Sequence, residues 1–251
     1  MARPHCRILH TSDIHLDDWV PPDGKESPCR LGLINVVDAT LEQKVDLLVI
    51  AGDLFDHNRV GEGIVQFVRE QLGRVTCPVV IIPGNHDCYT EQSIYHRFDV
   101  ATIGSHVHLL SIEEGETMEL HDLNVRIWGR GIVDHHPENY PLEQVPPRKG
   151  DYWHVGITHG YYTGRGAAMY SSLITAAEIA AADLDYLALG HVHAFATVSQ
   201  SDPCAAYSGS PTSYPHIPGG TAALVTLDPD TGVEVEEVRV DESQPSQHTL
   251  K

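Results

Sequence analysis

The chain has 251 residues, 41% of them apolar and 20% charged, which is enough to bury a full core in one globular α/β protein. Its formal net charge of −19 argues against a broad basic face for wrapping nucleic acid. No apolar run approaches a membrane span and the N-terminus has no long apolar stretch, so a cytoplasmic protein without membrane contact is expected.

The sequence "CRILH" near the start reads as a strand. Residues 31–45 place Leu33, Val36, Val37, Leu41 and Val45 near helical spacing. "DLLVIAG" (46–52) is an apolar strand, and residues 63–72 put Ile64, Phe67, Val68 and Leu72 on one helical face. "PVVIIPG" is the next strand. This βαβαβ rhythm predicts parallel strands covered by helices. Residues 107–129 read as short antiparallel strands, and the Pro-rich stretch 134–151 as a surface loop. "DYWHVGITHG" and "DYLALGHVHAFATV" are further strands, with a helix at 171–183 between them starting from a serine cap. Residues 221–240 form a hairpin turning at Asp228 to Gly232. A single domain over residues 1–240 is expected, followed by a polar tail, 241–251. The five cysteines are odd in number and none has C-x-x-C spacing, so neither a disulfide framework nor a structural zinc site is expected.

The apolar strands end in side chains of one kind. After "CRILH" come Asp13 and His15; after "DLLVIA" come Asp53, Asp56 and His57. After "VVIIP" come Asn85, His86 and Asp87; later strands end at His159 and at His191 and His193. Ligands of α/β sheets bind outside the carboxyl ends of the strands. Each residue alone has an ordinary use, an aspartate as a helix cap or an asparagine in a turn. Five strand ends that all carry such side chains point instead to one metal-binding rim. Imidazole and carboxylate without thiolate suit Mn, Fe, Zn or a similar divalent ion. The set exceeds what one ion needs, which points to two ions bridged by a carboxylate and set to clamp a displacement at phosphorus. Asp-x-His and His-x-His in extended segments would point both side chains the same way.

Asp13-Ile14-His15, Gly52-Asp53, Gly84-Asn85-His86-Asp87, Thr158-His159 and Gly190-His191-Val192-His193 resemble, in order and spacing, the motifs of the calcineurin-like metallophosphoesterases. The match runs from residue 8 to about residue 227. The resemblance implies a four-layer α/β/β/α sandwich of two mixed sheets. It implies that Asp13, His15 and His193 hold one metal, that Asn85, His159 and His191 hold the other, and that Asp53 bridges them. His86 would stand beside the scissile phosphate as a catalytic acid, oriented by Asp56. Manganese is the first choice for both ions, with Fe, Zn or Ni as alternatives.

Within that superfamily "ILHTSDIHL", "AGDLFDHNRV" and "LALGHVHAF" look most like the DNA-repair-exonuclease branch, the nuclease subunits resembling bacterial SbcD. The protein serine/threonine phosphatases carry an arginine after the acid where this chain has His57. Nucleases of the branch have further C-terminal DNA-binding and partner-binding regions, whereas here the motifs fill the chain. The favoured reading is a phosphodiesterase acting on DNA or RNA ends or on nucleotide-type diesters. A phosphomonoesterase or pyrophosphatase, or a non-catalytic partner module, is the alternative. His57, Arg130, His135 and Arg165 are candidate substrate-binding residues, with His136, Arg148 and Lys149 in the same loop region. A nuclease would bring an ATPase partner, and a homodimer is expected on frequency alone. Cys88 is left without a role.

Overall fold

The computed structural model describes residues 3–134, 136, 139–163, 172–199, 203–213 and 219–241. In chain order β1 (Cys6–Thr11), α1 (Pro28–Glu42), β2 (Leu47–Ala51), α2 (Glu62–Leu72), β3 (Val79–Ile82), α3 (Ile94–Arg97) and β4 (Val107–Leu109) come first. Next are β5 (Glu116–Leu120), β6 (Val125–Arg130), β7 (Trp153–His159), β8 (Tyr161–Tyr162) and β9 (Leu173–Ile174). The last are α4 (Ala176–Ala181), β10 (Tyr186–Gly190), β11 (Phe195–Ser199), β12 (Cys204–Ser208), β13 (Thr221–Asp228) and β14 (Gly232–Arg239). One six-stranded sheet has the order β14-β13-β1-β2-β3-β4 and a second has β11-β12-β10-β7-β6-β5. In the first, β1 to β4 run parallel and the β13–β14 hairpin is antiparallel. In the second, β6, β7, β10 and β12 run parallel, with antiparallel β5 and β11 at the edges.

Alternation along each strand builds the layers. On β2, Leu47, Val49 and Ala51 enter the core between the sheets, while Leu48 and Ile50 pack against Leu33, Val36, Val37, Ile64 and Val68 of α1 and α2. The second sheet sends Val155, Ile157, Tyr186 and Ala188 into the shared core. Its other face, with Leu187 and Leu189, lies against Ile179 of α4 and Ala182 just after it. Helices, sheet, sheet and helix make four layers, as the sequence motifs imply. All four buried positions of β3 are valine or isoleucine, the composition of a strand covered on both faces.

Three local expectations are corrected. The stretch 172–183 is no continuous helix: Leu173 and Ile174 pair with Tyr161 and Tyr162, and the helix begins after Thr175. There Thr175 and Glu178 form a reciprocal capping box, a stronger start than the serine before it. The stretch 185–198 is two strands rather than one, because the chain turns at His191. And β4 runs parallel to β3, so it extends the first sheet instead of joining an antiparallel meander. Residues 242–251 of the polar tail lie outside the described residues.

Candidate metal centre

Strands β1, β2 and β3 of one sheet and β7 and β10 of the other end at the same rim. After β1, β2 and β10 the chain soon leaves the extended conformation, whereas His159 is the last residue of β7 itself. Asp13, His15, Asp53 and His191 all have left-handed backbone, with φ of 54, 55, 53 and 100°. Such conformations cost non-glycine residues about 1–3 kcal/mol each and collect at functional sites. Left-handed turns, not strand alternation, therefore bring the Asp-x-His and His-x-His side chains together. The turns are held by main-chain bonds from Asp13 N to Gly52 O (3.1 Å) and from His15 N to Asp53 O (3.0 Å). Close approach, between neighbouring loops at Gly84 and between the sheets at Gly190, is equally demanding. A Cβ on Gly84 would fall on the Asp53 carboxylate, and one on Gly190 would fall on the Ala51 carbonyl oxygen.

Two groups of side chains result. In the first, Asp13 Oδ1 lies 3.9 Å from His15 Nε2 and 3.7 Å from His193 Nε2, and the two imidazole nitrogens are 3.2 Å apart. In the second, Asn85 Oδ1 lies 3.0 Å from both His159 Nε2 and His191 Nδ1. Asp53 faces both groups with one oxygen: Oδ2 is 3.8 Å from His15 Nε2 and 3.4 Å from His159 Nε2. Its other oxygen is taken by the His86 main-chain N–H at 2.8 Å. Asp53 thus turns one oxygen toward both groups and spends the other on the His86 main chain.

The donor set fits divalent cations. Asp13 and Asp53 are both buried, at 0% and 1% exposure, with oxygens within 4.8 Å of each other, and two such carboxylates repel unless a cation or proton compensates them. Asp13 Oδ2 accepts from Ser12 Oγ and His191 N, whereas buried Asp13 Oδ1, the atom facing His15 and His193, has no hydrogen-bond partner. His159 Nδ1 donates to Ala51 O at 2.8 Å, which in the neutral ring leaves Nε2 as a lone pair aimed at Asp53 and Asn85.

Without cations, protons carry the balance. Burial disfavours charge on Asp53, but His159, His15 and the His86 N–H outweigh it and hold the carboxyl well below its usual range. Burial likewise works against a charged His159, yet the Asp53 carboxylate raises its imidazole to about 9. Burial lowers His15 and His191.

His86 lies against both His15 and Asp53, with ligand atoms of the three within 4.8 Å of one another and its ring centroid 4.5 Å from that of His15. Its Nδ1 is 2.8 Å from the main-chain oxygen of Asp56 and 3.3 Å from the Asp56 carboxylate. Asp56 Oδ1 also lies 3.2 Å from His15 Nδ1, a second contact that sequence spacing gives no reason to expect. Asp87 is fully buried and holds the loops: it accepts from Gly84 N (2.7 Å), Phe55 N (3.2 Å) and Tyr95 Oη (2.7 Å). Nothing in the sequence around Tyr95 marks it for this role. Cys88 is buried, and its carbonyl accepts from Asn58.

The candidate substrate residues fare differently. Arg130 is buried, and its guanidinium pins the loop after β6 through Tyr140 O and Glu143 O, so it does not supply free charge to the rim. Arg148 is spent in the same way on Asp183, Asp185 and Leu184 O. His57 Nδ1 accepts the Arg59 N–H of its own loop. Lys149 is exposed, 3.9 Å from Glu119, and His136 is exposed in the loop with its N–H on Asp134. His135 and Arg165 lie outside the described residues.

Known proteins resemble the chain in sequence and in fold. The D subunit of the nuclease SbcCD of Bacillus subtilis is 26% identical over 255 residues, covering 88% of this chain and 65% of that protein. The uncharacterized metallophosphoesterase YhaO of the same organism is 25% identical, covering 84% of this chain and 54% of its own length. The chain thus spans between about half and two thirds of these relatives. Among solved structures, TT1561 of Thermus thermophilus superposes with a TM-score of 0.62 at 12% identity, covering 95% of this chain and all of that one. A dimetal phosphatase from Danio rerio gives 0.58 at 13% identity, covering 94% of this chain and 99% of its own, so it shares the fold. No described helix is long and apolar enough to cross a membrane. The calcineurin-like phosphoesterase family matches residues 6–195, and the chain belongs to that family.

Proposed function

We propose that this phosphoesterase hydrolyses phosphodiesters, of nucleic-acid ends or nucleotide type, with two divalent cations. Asp13, His15 and His193 would hold one cation and Asn85, His159 and His191 the other, with Asp53 shared. Manganese is the first choice, and Fe, Zn or Ni have compatible ligand preferences. Bound cations would supply electrophilic pull on the phosphoryl oxygens and make a water acidic enough to attack at neutral pH.

The protein's own groups do the rest. Asp53 Oδ1 fixes the His86 main chain, so the shared ligand also sets the position of the acid. With Nδ1 donating to the Asp56 carbonyl, the proton that cationic His86 can deliver sits on Nε2. Histidine suits this role because its ordinary pKa lies near neutral. The proton would pass to the leaving oxygen as its bond to phosphorus breaks.

The observation that carries the reading is the single Asp53 oxygen facing two ligand groups, with His86 on the same carboxylate. Similarity to a nuclease subunit favours diesters over monoesters. A nuclease role brings with it an ATPase partner and a cytoplasmic setting. The test compares bis(p-nitrophenyl) phosphate, p-nitrophenyl phosphate and short single-stranded oligonucleotides, with Mn added. Faster diester and oligonucleotide turnover is expected. Turnover of the monoester alone would mean a phosphomonoesterase or pyrophosphatase. No turnover at all with metals bound would mean a non-catalytic partner module.

A further inference from the structure

The loop from Asp56 to Gly61 connects β2 to α2 and carries an arginine that the rest of the protein does not use. Arg59 is exposed, and its guanidinium makes no hydrogen bond or ion pair. Among the described arginines it alone is in this state. Arg3 and Arg148 bind Asp185, Arg74 binds Asp38, Arg239 binds Asp241, and Arg130 finds carbonyls. Arg7, Arg69 and Arg97 also lack a carboxylate but bond Gln43, Thr102 and carbonyl oxygens, so it is the lack of any partner that sets Arg59 apart.

The main chain around Arg59 is firmly held. Asn58 donates to Cys88 O at 3.0 Å and accepts from Ile94 N at 2.9 Å. Arg97 donates to Asn58 O (3.1 Å) and Val60 O (2.6 Å). Asp18 accepts the Gly61 N–H at 2.8 Å, and His57 accepts the Arg59 N–H at 3.2 Å. Main-chain order around an unspent guanidinium lowers the entropy cost of binding an anion there. The neighbouring Arg97 is satisfied by carbonyls and not by a carboxylate, so its positive charge also persists. The loop starts at Asp56, whose carbonyl holds His86. Arg59 comes three positions after Asp56, and the Asn58 beside it bonds the Cys88 carbonyl two residues after His86, so this loop lies against the one that carries His86.

We infer that Arg59 binds a second phosphate of a polynucleotide strand, one that flanks the phosphodiester at the metal centre on its His86 side. Guanidinium and phosphate match as a two-pronged, charge-assisted pair. The inference rests on the phosphodiesterase reading and narrows it: the substrate is a strand with several phosphates, not a small diester with one.

The experiment compares wild type, Arg59→Gln and Arg59→Lys in two measurements. Binding of a fluorescein-labelled single-stranded oligonucleotide is followed by anisotropy across salt concentrations, in a His86→Ala background with Mn to prevent cleavage. Turnover of the oligonucleotide and of bis(p-nitrophenyl) phosphate is measured with His86 intact. Arg59→Gln is expected to weaken oligonucleotide binding roughly tenfold. It should also reduce the slope of log K against log salt by about 0.7, the share of one phosphate on a single strand. Arg59→Lys should restore most of that slope. The ratio of kcat/KM for oligonucleotide over small diester should fall about tenfold, through KM. An unchanged salt slope, or equal losses on both substrates, overturns the inference and leaves the phosphodiesterase reading standing. So does a wild type that hydrolyses the small diester without binding the oligonucleotide. Turnover of monoesters alone, with no oligonucleotide binding, overturns both.

Discussion

His86 Nδ1 lies 2.8 Å from the main-chain carbonyl of Asp56, and the Asp56 carboxylate lies between His86 Nδ1 and His15 Nδ1, at 3.3 and 3.2 Å. One acid therefore stands at ion-pair distance from both the proposed proton donor and a proposed metal ligand, without a hydrogen bond to His15 Nδ1. His86→Ala should lower kcat by about 10²–10⁴ with metal content intact, the range for loss of a positioned acid. Asp56→Ala should lower kcat and also weaken metal binding about 10–100-fold, as loss of a group behind a ligand does. Steady-state kinetics with metal titration checks both. Full metal affinity in Asp56→Ala would mean that its contact with His15 has no consequence.

The Asp53–His159 pair predicts how protons and metal compete. In the metal-free protein His159 titrates at about 9, above its ordinary 6.5. A raised histidine stabilises the metal-free fold fully below 6.5, and that contribution is lost as pH rises through 9. The depressed Asp53 carboxyl works in the other direction: its contribution is present above the ordinary 3.8 and is lost as pH falls through its lowered value. A metal needs the neutral imidazole, so binding at pH 7 must release the His159 proton. Metal affinity should rise with pH up to about 9, by roughly one log unit per pH unit. Calorimetry in two buffers of different ionisation enthalpy reads the proton directly. Binding at pH 7 with no proton released would contradict the pairing.

The Asp87–Tyr95 bond supports the centre from below. Asp87 is fully buried, and burial together with the nearby Asp53 charge raises its carboxyl to about 6. Tyr95 is itself buried and gives Asp87 the one side-chain bond that joins it to α3. Tyr95→Phe removes the hydroxyl and leaves a buried carboxylate one donor short. It should cost about 1.5–3 kcal/mol, the usual value of a hydrogen bond to a charged group. Denaturant unfolding measures it. A loss within about 0.5 kcal/mol, typical of a surface change, would show that Asp87 does not depend on Tyr95.

How much of the site is legible in the sequence depends on what each residue does. Apolar strands ending in Asp, His or Asn can be read one after another, because each motif is local. The capping signal Thr175-x-x-Glu178 is also present and fixes where α4 starts, although the preceding Ser171 and Ser172 offer a competing cap. The left-handed backbone at Asp13, His15, Asp53 and His191 cannot be read, since bonds between segments far apart in sequence hold the turns, such as Asp13 N to Gly52 O. The same holds for Arg130: its charge is visible in the sequence, its burial under the loop at Tyr140 and Glu143 is not. Asp56 can be linked to His86 by its offset from Asp53, but its contact with His15 joins two strand ends.

The shared Asp53 oxygen makes a thermal prediction that separates one metal site from two. A metal that binds only the folded chain at 100 times its Kd stabilises it by about 2.7 kcal/mol. In a domain of this size each kcal/mol moves Tm by about 2–4 °C, so saturating Mn should raise Tm by roughly 5–10 °C per site. His193→Ala removes a group from the first site only, and His191→Ala from the second only. Each should keep part of the Mn-dependent shift. Asp53→Asn removes the carboxylate that faces both groups and should abolish the shift, although its metal-free Tm is changed too by loss of the pair with His159. The difference between Tm with Mn and Tm with chelator, taken within each variant, cancels that background. A full shift in Asp53→Asn would mean that the two groups bind metal independently, and that the 3.8 and 3.4 Å contacts of one oxygen do not form a bridge.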